Sequence, residues 1–346
     1  MNRGPNPLLQ LTATRVREFM REPDAIFWTF FFPVIIAVTL GIAFRDRGPD
    51  TVRIAVVAGA EADDLAAVLA AEPYVDADVI DAEAADDAIR SGEFALVVEA
   101  GSDGVRYRYD PARSESRVAR LTADDALQRD AGRLDPRPTL DDPLTDRGSR
   151  YIDFLIPGLI GMNLLGTGLW GVGYTVVRMR REKLIKRLVA TPMRRGHFLL
   201  SFMLSRMVFL AAELALLLGF AWIVFDVTVQ GSMLSLLFAA VIGAFSFTAI
   251  GLLVASRART IEAAAGLMNL AAIPMWIVSG IFFSYHHFPD AVLPVIRALP
   301  LTALVDALRS VMMEGATLFA VSGSLAIVAA WGLVAFAASL ALFRWR

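Results

Sequence analysis

The chain has 346 residues, 56% of them hydrophobic, and a mean hydropathy of +0.55, too apolar for one soluble domain and suited to a multi-span membrane protein. The absence of cysteine excludes a disulfide framework, a thiolate metal site and a cysteine nucleophile. The formal charge of −2 conceals an asymmetry, because Arg45 to Arg150 holds 24 acids against 14 bases while the other polar stretches are basic.

Residues 1–23 predict an interfacial helix, with Leu8, Leu9, Thr12, Val16, Phe19 and Met20 within about 120° of circumference and Arg17 and Arg21 opposite. A first span follows over 24–44, long enough to cross about 30 Å of hydrocarbon. It reads as an uncleaved anchor, since its apolar run is too long for a signal peptide and contains Pro33. Residues 45–150 predict a small α/β domain: strands at 52–57, 74–80, 94–98 and 105–109, and helices at 61–71, 82–90 and 115–128. Gly101 to Gly104 reads as a hairpin turn, and a Pro/Asp-rich linker runs from Asp135 to Arg150. Five further apolar runs lie at 151–177, 199–225, 234–255, 263–283 and 321–343. Residues 284–320 carry apolar helices at 292–299 and 304–313, expected to lie half-buried at the membrane surface. The fold class is thus a mostly α membrane protein, six transmembrane helices with an α/β domain in the chain between the first and second.

Between the second and third spans, Arg178 to Arg195 carries eight basic side chains, including both lysines of the protein, against the single acid Glu182. The positive-inside bias places this loop in the cytoplasm, and the N-terminal arginines, Arg257/Arg259 and Arg344/Arg346 fall on the same side. Both termini are therefore expected in the cytoplasm, with the acidic domain and residues 284–320 outside. If 180–189 is one helix, Leu184, Ile185, Leu188 and Val189 share an arc of about 140° opposite Lys183, Lys186 and Arg187. Such a helix lies on a membrane or docks into a partner.

No phosphate loop is present, because no glycine precedes a lysine anywhere, so any ATP energy would have to come from another subunit. The zinc-protease helix, the nucleophile elbow and the dinucleotide fingerprint are absent as well. The adjacent pair His286-His287 lacks the spacing that favours shared metal ligation on a helix. Glu213 is the ionisable group deepest in an apolar run and needs a partner or a watery cavity. Arg206 sits on nearly the same helix face about 10 Å away along the axis, which suggests a structural ion pair or an interhelical hydrogen bond, with a transport or proton site as the rival reading. Asn163 and Asn269 read as buried amides that either join helices or line a path. Six glycines, Gly158, Gly161, Gly166, Gly168, Gly171 and Gly173, punctuate the second span, permitting close packing or bending. Pro274 is expected to kink the fifth.

Two stretches, REKLIKRLVATPMRRGHFLLS and IPMWIVSGIFFSYHHFPDAVLPVIRALPLTALVDALRSVMMEG, resemble the permease subunits of type-2 ATP-binding-cassette exporters, a class that includes bacterial drug-efflux transporters. The first matches the family's acid, basic-apolar helix and Leu-x-Ala-Thr-Pro turn. The second matches at Pro274, Ser279, Gly280, Phe282, Phe283, Pro289, Pro294, Pro300, Leu301, Thr302, Ala307 and Arg309. The resemblance implies a coupling helix over 179–192 that receives the motion of a separate ATPase through Arg181, Glu182, Leu184, Lys186, Arg187, Leu188, Thr191 and Pro192. The helix over 1–23 would be the connecting helix beside it. The substrate path would be carried by Asn163, Gly166, Glu213, Asn269 and Trp276, and an outer gate by Ser279, Gly280, Pro300 and Arg309, the last pairing with Asp306 or Glu314. The chain itself would hold no catalytic residue, cofactor or metal. Its expected partners are two copies of a cytoplasmic ATPase that binds ATP and Mg, a second permease copy or a paralogue, membrane lipid and a periplasmic adaptor, with no nucleic acid. The resemblance places the protein in the inner membrane, exporting a small amphiphilic molecule or lipid. The alternatives are a membrane-anchored receptor or assembly protein using its acidic external domain, and an ion-coupled carrier using Glu213.

Overall fold

The computed structural model describes residues 7–44, 51–101, 104–134, 137, 150–190, 195–258 and 260–342. The expected turn at Ser102 and Asp103, most of the 135–150 linker, Thr191, Pro192, Arg194, Arg259, Arg344 and Arg346 lie outside them, as do the side chains of Leu188, Val189 and Arg195. The chain divides into two units, Met1–Arg45 with Thr145–Arg346, and Asp46–Leu144.

The larger unit begins with α1 (Pro7–Phe19) and the apolar α2 (Pro23–Ala43), whose Phe27–Phe31 segment widens into a π turn. Leu8, Thr12, Val16 and Phe19 of the predicted face of α1 are half-buried, but that face is rotated toward Arg15. Arg15 is its buried residue, at 8% exposure, whereas Leu9 and Met20 stand 64% and 60% exposed.

The smaller unit runs β1 (Val52–Val57), α3 (Ala62–Ala70), β2 (Val75–Ile80), α4 (Ala85–Ser91), β3 (Leu96–Gly101), β4 (Gly104–Arg108) and α5 (Ser114–Asp130). The strands lie in the order β2-β1-β3-β4, with β1 parallel to β2 and β3, and β3 antiparallel to β4. Parallel neighbours need crossovers, which α3 and α4 supply, while the β3–β4 pair needs only a hairpin. Alternation along the strands buries Ile54, Val56, Leu96 and Val98 with α3 and α5, and Ala55, Val57 and Val97 with α4. The expected α/β domain forms, in three layers.

The larger unit resumes with α6 (Tyr151–Arg181), α7 (Leu184–Val189), α8 (Arg195–Phe225), α9 (Met233–Arg257), α10 (Ile261–Val278), α11 (Leu293–Ala298), α12 (Pro300–Met313) and α13 (Ser322–Leu342). Among the described residues six helices, α2, α6, α8, α9, α10 and α13, are long and apolar enough to cross a membrane. Pro274 is accommodated inside α10, which runs through it as one helix. The half-buried surface helix expected over 304–313 is instead a core element. Leu301, Thr302, Leu304, Val305, Leu308 and Val311 of α12 are fully buried among α6, α9 and α13, because its apolar residues cover more than one face.

The glycines of α6 divide by position. Gly168 abuts α9, where a Cβ would stand 2.8 Å from Phe247 Cβ and 2.9 Å from Thr248 N, and a Cβ on Gly251 of α9 would run into the Gly168 carbonyl. The two backbones therefore touch, as small residues allow in membranes. Gly171 meets nothing within 4 Å, and Gly166 meets only Trp170, at 3.9 Å. Gly168→Ala is expected to cost about 1–3 kcal/mol by forcing α6 from α9. Gly171→Ala leaves that contact intact, so thermal unfolding in detergent should separate the two variants.

Candidate functional site

At its basic end α6 carries Arg178, Arg180 and Arg181 in the last turn, where cations complement the helix dipole. Arg180 reaches across to the end of α9, donating from Nη1 to the carbonyls of Ala255 at 2.9 Å and Ala258 at 2.5 Å, and from Nη2 to Ser256 at 3.1 Å. These carbonyls have no partner within their own helix, so one guanidinium caps α9 and ties it to α6. The predicted continuous helix from 179 to 192 is broken here. Lys183 adopts a left-handed φ of 57°, α6 stops at Arg181, and α7 starts anew at Leu184. Ile185, 2% exposed, pins α7 to the core and Leu184 is half-buried, whereas Arg181, Glu182, Lys186 and Arg187 are exposed.

Arg15 explains how α1 is held beside this segment. Its guanidinium lies 4.3 Å from the ring centroid of Phe202 and 5.6 Å from that of Phe198 on α8, donates to Met179 Sδ of α6 at 2.9 Å, and pairs with Glu18 at 2.8 Å. A long apolar stem and a cation resting on aromatic faces make burial of an arginine tolerable. Arg178 pairs with Glu22, between α1 and α2.

Behind these pairs lies a cavity of about 660 Å³ walled by α1, α2, α6, α8 and α10. Asn163, Gly166, Glu213 and Trp276 of the predicted path all line it, with Arg206. The predicted 10 Å separation of Arg206 and Glu213 is closed by the side chains, which form a bidentate pair, each residue about 5% exposed, and Asn163 Nδ2 donates to Glu213 Oε2 at 3.2 Å. Two carboxylate oxygens thus meet both terminal guanidinium nitrogens and one amide, an arrangement that neutralises charge in a low-dielectric interior. The π turns Phe27–Phe31 and Thr167–Gly171 both contribute to the wall, through Trp28 and Thr29 and through Thr167, Trp170 and Gly171. Such widenings recur at functional sites, and hydropathy gave no sign of them. Asn269 departs from expectation. It is exposed on α10, in a stripe with Gly266, Leu270, Ile273 and Ile277, because the buried face of that helix is instead set by Ala264, Met268 and Ala272.

At the opposite end of α10, the predicted gate residues do converge. Ser279 ends the helix and accepts from Thr302 Oγ1 at 2.9 Å, two residues into the helix that Pro300 opens. Gly280 has a φ of 74°, and a Cβ there would stand 3.0 Å from Tyr285, so the chain turns at the one residue type that fits. Arg309 donates to the Gly280 carbonyl at 2.8 Å, lies 3.8 Å from the centroid of the Phe154 ring, and stands 4.0 Å from Asp306. Asp306 also accepts from the Tyr285 hydroxyl at 2.9 Å. Burial pushes the Asp306 carboxyl above its ordinary range, with the Tyr285 hydrogen bond and Arg309 opposing. Glu314, the other predicted partner, forms no ion pair with Arg309 among the described residues. Phe154 and Tyr285 were missed because neither carries a sequence signal that separates it from any other aromatic near a membrane interface.

Over residues 24–341 the chain matches the family model described as "ABC-2 family transporter protein". It is also 25% identical over 167 residues to ABC transporter G family member 20 of Dictyostelium discoideum, a match covering 48% of this chain and 23% of that protein. The chain thus aligns with about a quarter of that relative's length. With six apolar helices of spanning length and the family match extending over nearly all of them, the chain belongs to the ABC-2 family of transporter proteins, as a multi-pass membrane permease component.

Proposed function

We propose that this chain is the permease subunit of an ATP-driven exporter, moving a small amphiphilic molecule out across the inner membrane with energy from a separate ATPase docked on the 182–190 segment. One observation carries the reading: the exposed charges Glu182, Lys186 and Arg187 follow directly on Arg178, which lines the cavity. A push on α7 therefore acts on the mouth of the chamber that would hold the substrate, and a partner can bias the membrane part only through contacts that differ between its states. The basic ends of α6 and α9 favour a cytoplasmic placement of that face, with both termini there. ATP and Mg belong to the ATPase, of which two copies would serve two permeases. The Asn269 stripe supports a second permease copy or paralogue, since an amide exposed on a spanning helix is costly in lipid and better placed against protein. Ser279, Gly280, Pro300 and Arg309 would form the outer gate.

The native chain lacks cysteine, so single cysteines report topology without background. A cysteine at Lys186 should be labelled by an impermeant maleimide only from the cytoplasmic side and be shielded when the cognate ATPase binds. A cysteine at Asp63 should be labelled only from outside. Labelling of both from one side, or no shielding at 186, would refute the arrangement.

A further inference from the structure

The lining of the cavity specifies a charge class of ligand. Four carboxylates and three guanidiniums border it, with no lysine. Each guanidinium is matched: Arg15 with Glu18, Arg178 with Glu22, and Arg206 with Glu213. The fourth carboxylate, Asp24 in the first turn of α2, is exposed and has no ion-pair partner among the described residues. The remaining wall is strongly aromatic. Trp170 and Trp276 stand with centroids 5.1 Å apart and Trp28 and Phe32 4.7 Å apart. Another lining ring, that of Phe202, already carries the Arg15 guanidinium at 4.3 Å.

We infer that the cavity selects monovalent lipophilic cations of drug size over neutral or anionic amphiphiles of the same shape. The inference rests on reading the cavity as the substrate chamber and deepens it. Three neutral pairs leave one negative charge at the rim, and ring faces present negative potential to whatever enters. A cation gains from both, whereas an anion meets a carboxylate and finds no unmatched guanidinium. At about 660 Å³ the chamber falls within the range of small-ligand pockets, about 300–1,000 Å³, which favours a compact molecule over a whole diacyl lipid. The depth agrees with entry from one membrane face. Asn163 and Arg178, both lining the chamber, are 15 positions apart on α6, roughly 22 Å of helix.

Tetraphenylphosphonium and tetraphenylborate have nearly the same shape and opposite charge, so they test sign alone. Equilibrium binding of each to the purified full chain in detergent, followed by quenching of tryptophan emission and corrected for micelle partitioning, should show saturable binding of the phosphonium about tenfold tighter than of the borate. Asp24→Asn removes the charge at nearly constant side-chain size and should remove most of that preference. Gly166→Leu should abolish the saturable component, because the added side chain projects beside Trp170 into the chamber. Equal affinity for the two ions, an undiminished preference in Asp24→Asn, or saturable binding that survives Gly166→Leu would each overturn the inference. The ATPase is not needed for this measurement. Coupling to an ATPase without phosphonium binding would sink the cation class alone, and phosphonium binding without ATPase association would sink the exporter reading alone.

Discussion

Glu213→Gln is expected to lower the stability of the protein by about 3–5 kcal/mol, the cost of leaving one member of a buried ion pair without its counter-charge. The geometry makes this site sensitive. Both Arg206 and Glu213 are about 5% exposed and Asn163 donates to the carboxylate, while among the described residues Arg206 Nε is buried without an acceptor. Glutamine can accept a hydrogen bond from Arg206 but cannot balance its charge. The paired replacement Arg206→Met with Glu213→Leu removes both charges together and should fall near the wild type or above it, since well-packed apolar side chains often match or exceed a buried pair. Thermal unfolding of the three proteins in one detergent checks the order. Equal stability of Glu213→Gln and wild type would show that the pair is solvated and the chamber wet to its floor. Loss of transport in Glu213→Gln alone therefore does not identify a proton site, because the same change weakens the fold.

Reversing both charges on the proposed coupling segment, Glu182→Arg with Arg187→Glu, should reduce ATP-driven transport by one to two orders of magnitude while leaving folding intact. Neither side chain forms an ion pair among the described residues and both are exposed, so substitution should change stability by less than about 0.5 kcal/mol. Against a complementary partner surface the same reversal replaces attraction with like-charge contact, on the order of 2–5 kcal/mol when the pair is desolvated. Ile185, which pins α7 to the core, is untouched. Transport and ATP hydrolysis should be measured in the same vesicles: an uncoupled protein keeps its fold and its location but moves no substrate. Wild-type transport by the double variant would remove α7 from the power path.

Much of the architecture follows from hydropathy and period. The six spanning helices and the strand and helix order of residues 51–130 were readable, because each depends on local pattern, whereas the helix expected over 304–313 starts four residues earlier, at Pro300. What escaped reading depends on partners in space. A helical wheel scores Arg15 as polar, yet the rings of Phe198 and Phe202, more than 180 positions away in the chain, make its burial possible. The seven-residue interval of Arg206 and Glu213 gave the shared face and the ion pair, but not the Asn163 amide that joins it from α6. Asn269 looked buried because its helix is apolar, but the buried side of that helix is chosen by α6, α9 and α12. The break at Lys183 had no glycine or proline to announce it. Four of the five candidate path residues line one cavity and Asn269 does not, while that shared cavity and the tie from Arg180 to α9 emerged only in three dimensions.

The proposed movement of substrate through this chain draws on the energy of an ATPase held against α7. Its most direct test is ATP-dependent accumulation of tetraphenylphosphonium in inside-out vesicles containing only this chain and its cognate ATPase, with the phosphate-loop lysine of the ATPase intact or replaced by alanine. The account predicts accumulation that requires ATP and vanishes with the lysine. Accumulation that persists with the disabled ATPase and follows an imposed pH gradient instead would contradict it and assign the work to an ion-coupled carrier.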